Sequence, residues 1–283
     1  MSDQGRGPAT WRDNSGYALG RPLSLRDWLR VVRRGVPVIL VLAIGVLLIL
    51  PLRAVERLFH GPRRPWTGPH VQMVCRLCLF FLGIGWRRVG KPLRGPGAVV
   101  ANHSSWLDIF VLNAAMPVFF VSKAEVSGWP GINILTRVTN THFVIRDPKL
   151  ARQQAHEFAE RVRAGHRLLF FPEGTSSDGR RVLPFKPTLF QGFLDPELPL
   201  DLAIQPIIAD YHAPRGEDAR FYGWWGDMDL GPHLMHVLSV RRQGSVTVTL
   251  HPPIAVAGET RKSLSAKAEQ AVRSALENDM IAP

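Results

Sequence analysis

An uncharged apolar run near the N-terminus constrains this chain more than any other feature. Residues 35–52 contain no charged side chain, and about 17–25 apolar residues in helical form cross the core of a bilayer. Charged residues follow the run instead of a small-residue cleavage site, so we predict an uncleaved membrane anchor. A fully buried core helix is the alternative, because the run is close to the lower length limit and contains Pro37 and Pro51.

Arginines flank this run on both sides. Because cytoplasmic loops carry the excess of Lys and Arg, both ends of the run favour the same side of a membrane, which a single crossing cannot provide. A second apolar segment at 71–86 therefore suggests a helical hairpin, either as two crossings or as a re-entrant pair. Arg76 interrupts this shorter segment, which favours an anchor embedded mainly in the inner leaflet of the cytoplasmic membrane, with the rest of the chain facing the cytoplasm. The flanking arginines are Arg26, Arg30, Arg33, Arg34, Arg53, Arg57, Arg63 and Arg64.

The charge balance favours an anionic partner. Lys and Arg number 35 against 23 Asp and Glu, a formal charge of +12, which suits an anionic membrane surface or an acidic carrier protein. No zinc-finger, RNA-recognition or helix-turn-helix signature occurs, so nucleic acid is not a predicted partner. Cys75 and Cys78 lack the further ligands and the strand-to-helix setting of a zinc or redox site, and we predict two buried or lipid-facing thiols.

From residue 95 onward, short apolar runs alternate with amphipathic stretches. Asp147-Pro148 and Gly165 are the start and stop signals of a helix over 149–164, and 259–278 is predicted as a second, amphipathic helix. Strands separated by helices indicate an α/β fold, with a mixed, largely parallel sheet flanked by helices and preceded by the hydrophobic hairpin or anchor. The predicted strands are 98–101, 118–121, 142–145, 168–171, 202–208 and 246–250.

The segment Asn102-His-Ser-Ser-Trp-Leu-Asp108 follows the first of these strands. His103 and Asp108 would lie about 140° apart on one regular helix, so they can pair only if His103 lies in a turn before the helix begins. In that arrangement the carboxylate would fix the imidazole tautomer, and the other ring nitrogen could take a proton from an attacking hydroxyl. The alternative is a capping box with Ser105, in which Asp108 only satisfies backbone donors.

A second polar loop, Pro172-Glu-Gly-Thr-Ser-Ser177, follows the predicted strand 168–171. Its backbone N–H groups and hydroxyls could surround an anionic head group or an oxyanion. Glu173 would repel a phosphate unless it contacts a cation, backbone donors or substrate hydroxyls. An ordinary Pro-Gly turn with Ser caps is the alternative.

Together the two loops resemble the glycerolipid acyltransferase family, which includes the 1-acyl-sn-glycerol-3-phosphate acyltransferases. Residues 102–108 are similar to its N-H-x4-D block and Phe171-Pro-Glu-Gly-Thr175 to its F-P-E-G-T block, in the family's order. The resemblance spans roughly 97–212 and, with the hydrophobic pair, most of the chain. It implies that His103 is the general base, that Asp108 orients it, and that no covalent acyl-enzyme forms. It also implies that Glu173, Gly174 and Thr175 bind the acceptor.

The family's intermediate block is matched in part. Phe143 and Arg146 fit, and the resemblance implies that Arg146 is a ligand of the acceptor head group, but Asn140 replaces the family's Gly. Ile145 stands where an acidic residue is often found. The segments 119–130 and 221–229 are similar to a bacterial branch that includes lyso-ornithine-lipid acyltransferases, which leaves the acceptor open. A weaker match to a later proline-containing block covers Ile204-Gln-Pro206-Ile207.

The resemblance implies a membrane-associated O-acyltransferase that moves a fatty-acyl group from acyl-CoA or acyl carrier protein to a lysolipid. The first expectation for the acceptor is 1-acyl-sn-glycerol-3-phosphate, and lyso-ornithine lipid is the alternative. Thioester cleavage drives the reaction, so no metal or redox cofactor is expected. A non-catalytic lipid-binding scaffold is the alternative of another class, and the absence of a Gly-x-Ser-x-Gly elbow disfavours a serine hydrolase.

The predicted organisation has four segments. A flexible basic segment precedes the membrane-anchoring helices, the acyltransferase core follows them, and a C-terminal strand and helix complete the α/β domain. Trp224 and Trp225 are either lipid-interface residues or part of a buried aromatic cluster. Lys123 and Lys186 are either anion contacts or solvated surface lysines. The segment boundaries are 1–34, 35–95, 96–213 and 214–283.

Overall fold

The computed structural model describes most of the chain as two N-terminal helices followed by a mixed sheet with helices on both faces. It describes residues 11–12, 22–95, 97–123, 142–144, 151–196 and 198–281. The described helices are α1 (Leu25–His60), α2 (Thr67–Leu82), α3 (Asp108–Ala115), α4 (Ala151–Arg163), a 3-10 helix (Pro187–Leu194), α5 (Leu230–Ser239) and α6 (Arg261–Ile281). The strands are β1 (Gly85–Val89), β2 (Gly97–Ala101), β3 (Phe119–Lys123), β4 (His142–Val144), β5 (Arg167–Phe170), β6 (Ala203–His212), β7 (Ser245–Leu250) and β8 (Ile254–Ala255).

Helix α1 is longer at both ends than the predicted apolar run. A capping box starts it: the Ser24 Oγ accepts from the Asp27 N–H, and the Asp27 carboxylate accepts from the Ser24 N–H. The helix continues through Pro37 and Pro51, and Gly61 at a φ of 59° ends it. Among the described helices, only α1 is long and apolar enough to cross a membrane, and only 11% of its most apolar stretch is buried. This exposed apolar surface favours membrane association over the core-helix alternative.

Helix α2 packs on α1 to form the predicted hairpin, with shifted bounds. Gly45 allows the close approach, because a Cβ there would lie 2.8 Å from a methyl of Val74. Gly83, at a φ of 78°, ends α2 four residues earlier than predicted. The residues that follow form β1 (Gly85–Val89), so the prediction of helix over 83–86 is wrong.

The sheet is mixed and largely parallel, as predicted. Its strand order is β1-β7-β6-β2-β5-β3-β4, and β8 pairs with β6. All pairs are parallel except β6 with β7 and β6 with β8. Strand β2 therefore lies between β5 and β6 and runs in the same direction as both. The loops that leave β2 and β5 consequently meet at one edge of the sheet.

The sheet separates two hydrophobic cores. Successive residues of β2 alternate between them: Val99 and Ala101 join the core under α2, α3 and α5, while Ala98 and Val100 join the core under α6. Burial on both faces explains why β2 reads as a continuous apolar run without polar alternation. Because both faces are buried, only the ends of the strands are open to substrates.

Candidate active site

Asn102 fixes the loop that leaves β2. Its side-chain amide accepts from the N–H of Ala209 at 2.8 Å and donates to the C=O of Ala209 at 3.1 Å, and it also donates to the Ser104 hydroxyl. The Asn102 side chain thereby extends the hydrogen bonding between β2 and β6 by one residue, in the place of a backbone amide. Because Asn102 is 2% exposed, this anchor is protected from water and holds the start of the next turn rigidly.

His103 and Asp108 form the pair that the sequence predicts. His103 lies in the turn before α3, and its Nδ1 is 2.8 Å from Oδ2 of Asp108, the first residue of that helix. The same Oδ2 accepts from the N–H groups of Ser104 and Ser105 at 2.8 and 3.0 Å. Asp108 therefore does both of the things proposed from the sequence: it satisfies backbone donors at the start of the helix and it binds the imidazole.

The remaining oxygen of Asp108 has a partner that the sequence analysis missed. The Tyr211 hydroxyl donates to Oδ1 at 2.7 Å, and both side chains are almost fully buried. Burial, followed by the adjacent Asp108 charge, raises the pKa of Tyr211 well above its usual value, so the hydroxyl keeps its proton and remains a donor. In the sequence Tyr211 lies after the predicted strand 202–208, and nothing there identifies a partner 103 residues away.

The imidazole of His103 is fixed on its face as well as at its edge. Its ring stacks on Phe171, with centroids 4.1 Å apart and planes inclined by 13°. The side chain is 25% exposed, and within the described part of the chain no residue hydrogen-bonds to Nε2. Because Nδ1 faces Asp108, Nε2 is the ring nitrogen available to a substrate.

Glu173 connects the two loops. Its Oε1 accepts from the His103 N–H and its Oε2 from the Leu183 N–H, both at 2.8 Å. The side chain is 2% exposed, and burial outweighs these two donors and raises its pKa to about 8. Each oxygen thus accepts from one backbone N–H, an arrangement that holds His103 in place, while the acceptor-binding role implied by the resemblance stays a prediction.

The next residues of this loop, Gly174 to Ser176, are half-buried. Gly174 has a φ of +74°, a conformation that favours glycine, and a Cβ there would lie 2.6 Å from Nζ of Lys186. The Lys186 ammonium therefore lies against the loop, as an anion contact would. Thr175 is half-buried, and its Oγ1 accepts from the N–H of Trp11 at 3.3 Å. The Ser177 N–H donates to the C=O of His103 at 2.9 Å, so the loop lies beside the histidine, and acceptor binding by Gly174 and Thr175 stays a prediction.

The two tryptophans and the two remaining basic residues have different outcomes. Trp225 is buried and contacts Trp11, with ring centroids 6.1 Å apart, so it belongs to an aromatic cluster. Trp224 is half-buried and donates to the C=O of Met228. Arg146 lies outside the described residues, as do Asp147 and Pro148, and the side chain of Lys123 is likewise not described.

No metal centre is evident in the described part of the chain. The described residues contain no group of three or more His, Cys, Asp or Glu side chains placed to hold a metal ion. Cys75 and Cys78 are free, buried thiols on α2. The chemistry available at this edge of the sheet is accordingly that of a histidine with one open nitrogen, oriented by a buried carboxylate.

This combination of fold and site defines an acyltransferase: an α/β sheet with an oriented histidine at its edge, next to an F-P-E-G-T turn. The chain belongs to the acyltransferase family, whose family model matches residues 88–209. It is 50% identical over 257 residues to the lyso-ornithine lipid O-acyltransferase of Rhodobacter capsulatus, covering 90% of this chain and 93% of that one. It is 28% identical to the 1-acyl-sn-glycerol-3-phosphate acyltransferase of Neisseria gonorrhoeae, covering 68% and 74%.

A crystal structure supports the fold. The 1-acyl-sn-glycerophosphate acyltransferase PlsC of Thermotoga maritima superimposes with a TM-score of 0.64, covering 92% of this chain and 98% of that one at 19% identity. The likeness extends over the helical hairpin as well as the sheet, because it covers nearly the whole chain. The family match and the relatives above identify the protein as an acyltransferase that acts on lysolipids.

Proposed function

We propose that this enzyme transfers a fatty-acyl group from a thioester to the free hydroxyl of a lyso-ornithine lipid. The 50% identity to a lyso-ornithine lipid O-acyltransferase over nine-tenths of the chain is the observation that carries this choice of acceptor. It favours the alternative of the sequence analysis over 1-acyl-sn-glycerol-3-phosphate, the first expectation. That second acceptor remains a candidate because of the Neisseria relative, which is 28% identical.

The proposed mechanism uses His103 as a general base. Nε2 takes the proton of the acceptor hydroxyl while the hydroxyl oxygen attacks the thioester carbonyl. Asp108 stabilises the imidazolium that forms. The tetrahedral intermediate then collapses, the C–S bond breaks, and the imidazolium returns its proton to the leaving thiolate. The acyl group passes directly to the acceptor, so no side chain is acylated.

The acceptor would bind along the loop that leaves β5. An ornithine head group carries a carboxylate, and the Lys186 ammonium beside Gly174 supplies a cation within this loop. Thr175 adds a hydroxyl on the same side. We assign Glu173 a positioning role, since its two oxygens hold the backbone of His103 and Leu183, and we keep Arg146 as a head-group ligand on the strength of the resemblance.

The thioester is acyl-CoA or acyl carrier protein, and the proposed location is the cytoplasmic face of the inner membrane. The apolar face of α1 supports the membrane part of this proposal, with side chains such as Ile39, Leu47 and Phe59 exposed by 65%, 69% and 74%. The formal charge of +12 is compatible with an acidic carrier protein and with an anionic leaflet.

A direct test compares two acceptors. Detergent-solubilised wild type, His103→Ala and the control His156→Ala, a substitution of an exposed histidine on α4, are given a labelled thioester with lyso-ornithine lipid or 1-acyl-sn-glycerol-3-phosphate. We expect wild type and control to prefer lyso-ornithine lipid, and His103→Ala to lose at least about 100-fold in rate. Preference for the phosphate acceptor would overturn the acceptor assignment. Unchanged transfer by His103→Ala would overturn the catalytic one.

A further inference from the structure

A cavity with cationic walls lies at the turn of the helical hairpin. Its volume is about 630 Å³, and its lining includes Arg53, Glu56, Arg57, Arg64 and the turn residue Pro62. The C=O of Pro62 lies 3.1 Å from Nε2 of His166, the residue just before β5. The catalytic loops leave the opposite ends of β2 and β5, about 16 Å along β5 from this point at 3.3 Å per residue. The cavity is therefore separate from the site of acyl transfer.

The one carboxylate in this lining is already engaged. Glu56 is 1% exposed, and its Oε1 accepts from the N–H groups of Trp66 and Thr67 at 2.6 and 3.0 Å, while Oε2 accepts from the Thr67 hydroxyl. Glu56 thus satisfies the donors at the start of α2. The three arginines that line the cavity consequently leave it with a net positive charge.

Arg64 has a buried donor without an acceptor. Its Nη1 is shielded from water and forms no hydrogen bond to the protein. Burial and the nearby charges of Arg53 and Arg161 lower the pKa of Arg64 to about 10, so the guanidinium is charged at neutral pH. A buried cationic N–H without an acceptor costs free energy, and an anion in the cavity would remove that cost.

The surface around this turn is apolar. Val55, Leu58 and Phe59 at the end of α1 are 43%, 82% and 74% exposed, and Trp66 on the other side of the turn is 41% exposed. Aromatic and aliphatic side chains beside arginines are typical of a segment at the boundary between lipid chains and head groups. The anion that reaches a cavity at this depth most readily is the phosphate of a membrane lipid.

We propose that the cavity at the hairpin turn binds the phosphate of an anionic phospholipid, with Arg64 as its principal ligand. Guanidinium groups form paired hydrogen bonds with phosphate oxygens, and Arg53 and Arg57 add charge on the neighbouring turn of α1. The bound lipid fixes the hairpin at the head-group level. This site is distinct from the acceptor site, and its assignment does not depend on which lysolipid is acylated.

The test measures thermal stability of the full chain in a neutral detergent during titration with dioctanoyl-phosphatidylglycerol. A ligand that binds only the folded state raises the melting temperature as its concentration rises. Arg64→Gln is compared with Arg63→Gln, which makes the same charge change at the neighbouring, exposed position outside the cavity. We expect the midpoint of stabilisation to rise about tenfold for Arg64→Gln, as for the loss of a charged hydrogen bond, and to stay within about twofold for Arg63→Gln.

Two further arms identify the source of the phosphate. Dioctanoyl-phosphatidylcholine should stabilise weakly because it has no net charge, and inorganic phosphate at matched ionic strength should have little effect because it lacks the acyl chains. If Arg63→Gln and Arg64→Gln raise the midpoint of lipid stabilisation equally, the lipid is attracted by the general surface charge and does not bind in the cavity. That result would overturn the proposal. If inorganic phosphate stabilises the wild type and this effect is lost in Arg64→Gln, the ligand of the cavity is a free anion. That result would overturn the assignment of a lipid.

The variant must also fold. Without lipid, Arg64→Gln should melt at or above the temperature of the wild type, since the substitution removes a half-buried guanidinium whose Nη1 has no hydrogen-bond acceptor. If it unfolds instead, Arg57→Gln, which changes a more exposed residue of the same cavity, is titrated in its place. If the midpoint of lipid stabilisation for Arg57→Gln then equals that of the wild type, the proposal is overturned.

Discussion

The loop after β2 and the loop after β5 both place a buried carboxylate within reach of His103, but the two carboxylates have different surroundings. Asp108 has donors on both oxygens: two backbone N–H groups, the Tyr211 hydroxyl and the imidazole itself. Glu173 has one backbone N–H on each oxygen, and burial raises its pKa to about 8. The first loop is built to contact the ring of His103, and the second to hold its backbone.

The sequence position of an acidic residue therefore does not by itself give its role. Both residues come from motifs of the same family and lie at the same edge of the sheet. Their roles differ because of the atoms that they contact: Asp108 stabilises charge on the imidazole ring, and Glu173 fixes the backbone of His103.

The largest expected effect is on acyl transfer by Asp108→Asn. The amide keeps the shape of the carboxylate but cannot stabilise an imidazolium, so kcat/KM should fall about 1000-fold. Asp201→Asn, the same change at an exposed position, should have the activity of the wild type. A loss below about tenfold in Asp108→Asn would mean that Asp108 only caps α3.

Glu173→Gln should change the pH dependence of stability. A carboxyl whose pKa rises on folding from 4.5 to about 8 holds its proton in the folded state while the unfolded state releases it. Stability therefore falls as pH rises from about 4.5 to about 8 and levels off above that. Melting temperatures of wild type and Glu173→Gln at pH 5 and pH 8 should show a smaller decline in the variant. An equal decline would place the titrating group elsewhere.

Tyr211→Phe should have a smaller effect on catalysis. The substitution removes one hydrogen bond to Asp108 and keeps the buried ring, which corresponds to about 0.5–1.5 kcal/mol or a roughly two- to thirteenfold loss in kcat/KM. Because Tyr211 acts through Asp108 on His103, the pH at which kcat/KM is half-maximal should also shift. A loss of stability with an unchanged pH profile would make Tyr211 a packing residue only.

The smallest expected effect is that of Thr175→Val. The hydroxyl already accepts from the Trp11 N–H at 3.3 Å, so as a minor ligand of the acceptor its loss should raise KM for the acceptor about twofold to fivefold and leave kcat unchanged. Thr188→Val, at an exposed position in the 3-10 helix, is the matched control. A fall in kcat without a change in KM would move Thr175 from acceptor binding into the chemical step.

The geometry of His103 and Asp108 was predictable because their spacing leaves few arrangements. Five residues of separation exclude pairing on a regular helix, so a turn before α3 was required, and the structure has that turn. Tyr211 was not predictable in the same way. The predicted strand ended at residue 208, whereas β6 continues to His212, and nothing local relates a strand-end tyrosine to a carboxylate on another element.

The sheet was predictable where burial on both faces gives continuous apolar runs, as in β2. It was not predictable at β1, where Gly85-Trp-Arg-Arg-Val89 is mostly exposed and carries two charges. Strand β1 forms through its register with β7, a long-range pairing that local residues do not indicate. The four-segment division of the chain stays a prediction.

The hairpin shows a third limit. Arg34 was interpreted as a flanking charge that sets membrane orientation, yet its guanidinium is buried and donates to three carbonyls at the C-terminal end of α5, those of Leu238, Val240 and Arg241. Those carbonyls need donors, and the basic side chain supplies them. Counting charges along the sequence could not separate this structural arginine from one that faces a membrane.

The most direct test of the central claim, that His103 and Asp108 act as one unit, is a double-mutant cycle on acyl transfer. Rates of His103→Ala, Asp108→Asn and the double variant are compared with wild type under one set of conditions. If Asp108 acts only through the imidazole, the double variant will be no slower than His103→Ala. Losses that multiply would show instead that the two residues contribute independently, and His103 and Asp108 would not be one catalytic unit.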